Sequence, residues 1–149
     1  MGRRVAIAGF VTSLLACLWL LPSETAADPA AMVRAGHDLF EQHCELCHGE
    51  GGKGDGPLSD ELRVAPPNLT EIALRRGGTF PEVEVREIID GRRRVRAHGH
   101  SEMPVWGRVF AGPAVPDVGK AAAAREKLDQ LVVYLRSIQS PPAKDVTQR

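Results

Sequence analysis

Apolar positions recur along this chain at helical spacings, and no stretch shows the alternation of a half-buried strand. Val5 to Leu21 is an almost unbroken apolar run. In Ala30 to His43 the smaller or apolar positions Val33, Gly36, Leu39, Phe40 and His43 fall at i, i+3 and i+4, which predicts an amphipathic helix. Thr70 to Arg76 reads as a short helix capped by Thr70 and stopped by Gly77-Gly78. Thr79-Phe80-Pro81-Glu82 has capping-box spacing and opens a helix carrying Val83, Val85, Ile88 and Ile89, stopped at Asp90-Gly91. Arg92 to Pro116 has no regular period. Ala121 to Gln139 is the clearest helix, with a stripe of Leu128, Leu131, Val132, Leu135 and Ile138 bordered by Tyr134. Ser140-Pro141-Pro142 ends it. These elements predict an all-α class with long loops.

The first apolar run is a different object. Met1-Gly2-Arg3-Arg4 is basic, Pro22-Ser23-Glu24 breaks the run, and Thr25-Ala26-Ala27 resembles a cleavage site. Residues 1–27 are therefore expected to be a secretory signal peptide. The run lies at the short edge of the roughly 17–25 residues that span a bilayer, so an uncleaved anchor is the competing reading. Leu14-Leu15-Ala16-Cys17 also resembles a lipobox, but Leu18 to Leu21 stay apolar where a lipoprotein turns polar. A membrane association is expected only if the segment is uncleaved or Cys17 is lipidated. The rest, 28–149, suits one domain, with a core over about 33–139 and a loose polar tail over 140–149.

The 19 basic and 19 acidic residues balance over the whole chain. Removing the leader leaves a charge of about −1, which gives no reason to expect nucleic acid as a partner. Arginines nonetheless crowd the middle of the chain, from Arg75 through Arg92, Arg93, Arg94 and Arg96.

The chemistry centres on Cys44-Glu45-Leu46-Cys47-His48, a C-x-x-C-H attachment signature of a c-type haem. Two thiols three positions apart reach the two vinyl groups of one haem, and the adjacent His48 supplies a nitrogen to the iron. A second axial ligand has to come from elsewhere. Met32, His37 and His43 lie in or beside the helix leading to Cys44 and are poorly placed to cross to the other haem face. Met103 sits far along the chain, before Pro104, and a thioether there would raise the potential. His98 and His100 are its rivals and would lower it.

Other chemistries fit less well. A zinc site needs a second ligand pair, and the chain beyond the leader has no further cysteine. A disulfide leaves His48 unexplained. A thioredoxin-type motif expects a βαβ unit. The loop from Gly49 to Pro57 holds five glycines but lacks the G-x-x-x-x-G-K-[ST] of a phosphate loop. No Ser/His/Asp set or carboxylate pair stands out; Asp55, Asp60 and Glu61 read as solvated loop and helix start. No separate catalytic site is expected.

With these residues in place the chain resembles the class I cytochromes c of bacterial periplasms, over roughly Val33 to Gln139. Gly36 and Phe40 match the family's first helix where it crosses the last, and Leu131, Tyr134 and Leu135 match the last helix. Pro67-Asn68-Leu69 resembles the P-x-L segment whose proline carbonyl accepts a hydrogen bond from the proximal histidine, with Pro57 a competing match. Met103-Pro104-Val105-Trp106-Gly107 is similar to the segment carrying the distal methionine. The resemblance implies a cytochrome c fold with crossing terminal helices around one haem c. That haem would be bound through thioethers at Cys44 and Cys47, with His48 and Met103 as axial ligands. Pro67, Trp106 and Arg96 are candidate neighbours. Gly112 to Lys120 and the Arg92 to Arg96 cluster have no clear family counterpart.

The expected function is one-electron transfer by a periplasmic carrier, not catalysis. Its partner would be a redox protein such as a dehydrogenase, oxidase or reductase. One alternative is the electron-transfer subunit of a larger periplasmic oxidoreductase. Another is a haem-based ligand-binding or sensor protein, which requires Met103 to dissociate readily. The arginines from Arg75 to Arg96 would either steer an acidic partner, giving a salt-dependent rate, or serve as solvated helix ends and propionate partners.

Overall fold

The computed structural model describes residues 28–93, 103–113 and 117–144. The expected signal peptide, Arg94, Arg96, His98, His100 and the last tail residues lie outside them. Six α-helices follow one another: α1 (Pro29–His43), α2 (Glu45–His48), α3 (Ile72–Arg75), α4 (Glu82–Asp90), α5 (Trp106–Ala111) and α6 (Val118–Ser137). Short 3-10 turns at Ser59–Glu61 and Leu69–Glu71 complete the set, and there is no strand among the described residues. The architecture is all-α.

The frame is the crossing of α1 and α6. Asp28 caps α1, its carboxylate accepting from the Ala30 N–H at 3.0 Å, and Pro29 begins the first turn where no donor is needed. Asp117 caps α6 by accepting from Lys120 N–H at 2.8 Å, which starts that helix three residues before its apolar stripe predicts. At the crossing, Gly36 lies against the Gln130 backbone. A Cβ on it would fall 2.7 Å from Tyr134 Cβ, so only glycine allows this approach. Phe40 packs on Tyr134 with ring centroids 5.3 Å apart. Phe40 and Leu131 are each 1 % exposed and anchor the core with Leu128, Val132 and Leu135. Burying each such side chain stabilises by roughly 1.5–3 kcal/mol.

The middle helices differ in detail from their predicted forms. Thr70 does not cap α3. α3 starts after Glu71 without a side-chain cap; Asn68 caps the 3-10 turn before it, its side-chain oxygen accepting from Thr70 N–H at 3.0 Å and from the Thr70 hydroxyl at 2.7 Å. The capping box at Thr79 to Glu82 does not form, because Pro81 itself occupies the cap position and α4 starts at Glu82 without a side-chain cap. On α4, Val85 and Ile89 are buried one turn apart, whereas Val83 points away and is 71 % exposed. Gly91 closes α4 in the left-handed region at φ 80°, as Asp90-Gly91 leads one to expect.

The segment without sequence period contains α5. Its first turn is wedged against the end of α4: a Cβ on Gly91 would meet Val105 Cγ1 at 2.6 Å, and one on Gly107 would strike the Asp90 carboxylate. After α6, Gln139 is buried and fully bonded. Its oxygen accepts from Ala73 N–H at 2.8 Å, and its amide nitrogen donates to the carbonyls of Leu69 (2.9 Å) and Leu135 (2.6 Å). This one side chain ties the end of α6 to the segment that carries Pro67.

Candidate haem site

α1 delivers the chain to Cys44, whose N–H donates to the Phe40 carbonyl at 2.8 Å. The single turn α2 then holds Cys47 and His48, with the N–H groups of both donating to the Cys44 carbonyl at 3.1 and 2.9 Å. The glycine-rich loop folds back beneath this turn. Gly54 N–H donates to the His48 carbonyl and Leu69 N–H to the Gly52 carbonyl, each at 2.7 Å. Gly54 lies so close to the Pro66 carbonyl that no side chain fits. The loop therefore clips the Pro66–Leu69 segment onto the Cys–His turn. It serves as a backbone brace and not as a phosphate cradle.

These elements enclose a cavity of about 470 Å³. Cys44, Cys47 and His48 line it together with Pro66 and Pro67. Phe40, Leu131 and Leu135 contribute from the helix crossing, and Val85, Ile88 and Ile89 from α4. Met103, Pro104 and Trp106 reach it from the segment opening α5. The size falls in the range of roughly 300–1,000 Å³ typical of cofactor pockets, and the lining is mostly apolar. Arg75, Arg76 and Glu84 are its charged members.

The donor set suits a haem. Cys44 and Cys47 are not joined in a disulfide. Burial, and secondarily the nearby Cys47, push the Cys44 thiol up to about 12, so its sulfur is neutral. That is the wrong state for a nucleophile or a thiolate metal centre. His48 Nδ1 is buried with no completed hydrogen bond, although the Pro67 backbone acts on it. Burial holds the His48 pKa below the usual imidazole value, and the Pro67 carbonyl opposes that shift. A neutral imidazole whose Nδ1–H faces a carbonyl leaves Nε2 free for a metal.

Met103 is part-buried and packs against the core at the same cavity, as does Trp106. Of the neighbours expected from sequence, Pro67 and Trp106 are thus on the cavity wall. Arg96 and the rival ligands His98 and His100 lie outside the described residues. Four further residues on or around the wall are brought to the site by the fold. His43, which the sequence places on the inner face of the first helix and as a poorly placed ligand, has a packing role at the site. It lies on the cavity wall as a packing surface, its ring 5.2 Å from that of Trp106 and 5.4 Å from that of Phe110. Phe110 comes from α5, which has too few residues to show a period. Arg76 and Glu84 form an ion pair across the cavity rim.

The described arginines are largely paired. Arg75 bonds Glu71 and donates to the Asn68 carbonyl at 2.8 Å, Arg86 pairs with Asp129, Arg92 with Asp90, and Arg93 with Glu87. The open basic patch that the sequence suggests is, over these residues, a mosaic of both signs.

Residues 31–135 match the family model described as cytochrome c oxidase, cbb3-type, subunit III. The chain belongs to this family of c-type cytochrome domains. The match spans well over half the sequence and brackets Cys44, Cys47, His48, Pro67 and Met103. No solved structure matches the chain significantly. As a class I c-type cytochrome, the protein is a haem-based electron-transfer protein and not an enzyme. Among the described residues no helix is long and apolar enough to cross a membrane.

Proposed function

We propose that this cytochrome is an exported, periplasmic one-electron carrier. It binds one haem c through thioethers at Cys44 and Cys47, with His48 and Met103 as axial ligands. The observation that carries the reading is the meeting of these four side chains on one apolar cavity. The haem supplies a ferric/ferrous couple. The protein's own contribution is to exclude water, to hold the His48 ring beside the Pro67 carbonyl, and to present a thioether sulfur from Met103, which favours the reduced iron. Arg75 and Arg76 at the cavity rim are suited to the haem carboxylates, Arg76 already in company with Glu84. A donor on each side of the iron leaves no open position for a substrate.

Redox titration of the purified protein tests this reading. It predicts one haem per chain that stays with the denatured polypeptide, a reversible one-electron wave, and a ferrous form that does not take up carbon monoxide. Ready carbon monoxide binding by the native protein would instead support the ligand-binding alternative. Cleavage after Ala27, read from the mass of the mature protein, tests export.

A second reading has its own support. The matched family is described as an oxidase subunit, so the same domain could serve as the electron-transfer subunit of a larger oxidoreductase. Both readings use the same site residues. Sizing the native protein from gently solubilised cells separates them: a free carrier elutes at the size of its own chain, and a subunit elutes with its complex.

A further inference from the structure

His43 is the last residue of α1 and precedes Cys44, so it is rigidly coupled to the haem-attachment turn. Its ring meets Trp106 at 5.2 Å and Phe110 at 5.4 Å, and those two rings, one helical turn apart on α5, are 5.6 Å from each other. The three form a closed triangle of tilted and edge-on aromatic contacts, in the range where ring pairs attract beyond simple burial. Lys127 of α6 sits over the Phe110 ring at 5.4 Å. Among the described residues the His43 ring makes no hydrogen bond and no ion pair, so it is used here as a flat surface.

The consequence lies at Met103, three residues before Trp106. On one side, the start of α5 is wedged against the end of α4 through Val105 on Gly91 and Gly107 on Asp90. On the side of the Cys–His turn, the aromatic contact of His43 with Trp106 and Phe110 holds it. We propose that His43 is a positioning residue for the distal ligand: by clamping Trp106 and Phe110 of α5 to the haem-attachment helix, it keeps the Met103 thioether engaged. This rests on the reading of Met103 as axial ligand. His43 lies on the cavity wall, but its role is exerted through α5: it sets how often Met103 lets go.

The test is competition by free imidazole for the ferric holoprotein, followed in the visible spectrum, alongside the methionine-to-iron charge-transfer band. His43→Ala should bind imidazole about tenfold more tightly than wild type, a factor corresponding to about 1.4 kcal/mol, and its charge-transfer band should weaken. His43→Phe keeps a ring in the triangle and should stay within about twofold of wild type, a rescue that loss of general stability does not predict. Should His43→Ala fail to accumulate as holoprotein, Phe110→Leu removes the other arm of the clamp and carries the same expectation. Unchanged imidazole affinity in the folded variant, with the band intact in wild type and absent in Met103→Ala, overturns the clamp alone. A wild type without the band, or a Met103→Ala that keeps it, overturns the ligand reading and the clamp together.

Discussion

Gly36 of α1 and Tyr134 of α6 meet where the two longest helices cross, Tyr134 Cβ lying 2.7 Å from the place a Cβ on Gly36 would occupy. The Gln130 backbone, one turn earlier on the same helix, is closer still, and backbone atoms cannot rotate away. Gly36→Ala gains up to about 1 kcal/mol of helix propensity but must force the helices apart, and overpacking of this kind costs about 1–3 kcal/mol. The clash should win. Denaturant unfolding of the holoprotein is expected to show a net loss of stability, and a more stable Gly36→Ala would contradict the crossing as described.

Gln139 offers a second check on the frame. Gln139→Leu strands the buried Ala73 N–H along with two carbonyls that lose their donor. Leaving one buried donor unpaired costs about 1–3 kcal/mol, and the variant should be destabilised by that order in urea. Gln139→Glu keeps the acceptor but places a carboxylate against the carbonyls of Leu69 and Leu135. The folded state then prefers the protonated acid, so the folded pKa rises above the unfolded value of roughly 4.3. The penalty therefore grows as pH rises through that value, and Gln139→Glu should be weaker at pH 8 than at pH 5 relative to wild type.

The pairing of the arginines changes the expectation for partner association. Arg75, Arg76, Arg86, Arg92 and Arg93 each have a carboxylate within ion-pair distance. Their far field is largely cancelled before any partner arrives. Strong steering by this face should be absent, and the association rate with an acidic redox partner should change by less than about threefold as the Debye length falls from about 30 to 8 Å. A tenfold or steeper fall, measured by stopped flow across that salt range, would restore the steering idea.

Much of the frame could be read from residues alone. The helical spacing of Gly36 with Phe40 and of Leu131 with Leu135, the Asp90-Gly91 stop and the C-x-x-C-H turn are local patterns, whereas the crossing of the two helices is implied by the family resemblance. What escaped notice depends on contacts distant in sequence. α5 has six residues and lies among glycines and prolines, so its period is invisible; it exists because Gly91 and Gly107 admit it against α4. Gln139 looks like an ordinary polar helix end until Ala73, 66 positions away, is seen to need an acceptor. Thr79 to Glu82 has the spacing of a capping box, yet Pro81 takes the cap position first. His43 falls on the inner face of the first helix by spacing, but its partners Trp106 and Phe110 are brought to it only by the fold.

At the site the division is similar. Cys44, Cys47 and His48 are recognisable by spacing. Met103 is marked in the sequence by its M-P-x-W pattern and its place far from Cys44, whereas its place on the cavity wall beside Trp106 is a tertiary fact.

The most direct measurement is the ferric visible spectrum of wild type beside that of Met103→Ala. The account predicts a methionine-to-iron charge-transfer band in the far red for wild type, absent in Met103→Ala, which should also gain carbon monoxide binding when reduced. A wild-type spectrum without that band, or a band that survives the substitution, would contradict closure of the haem by Met103.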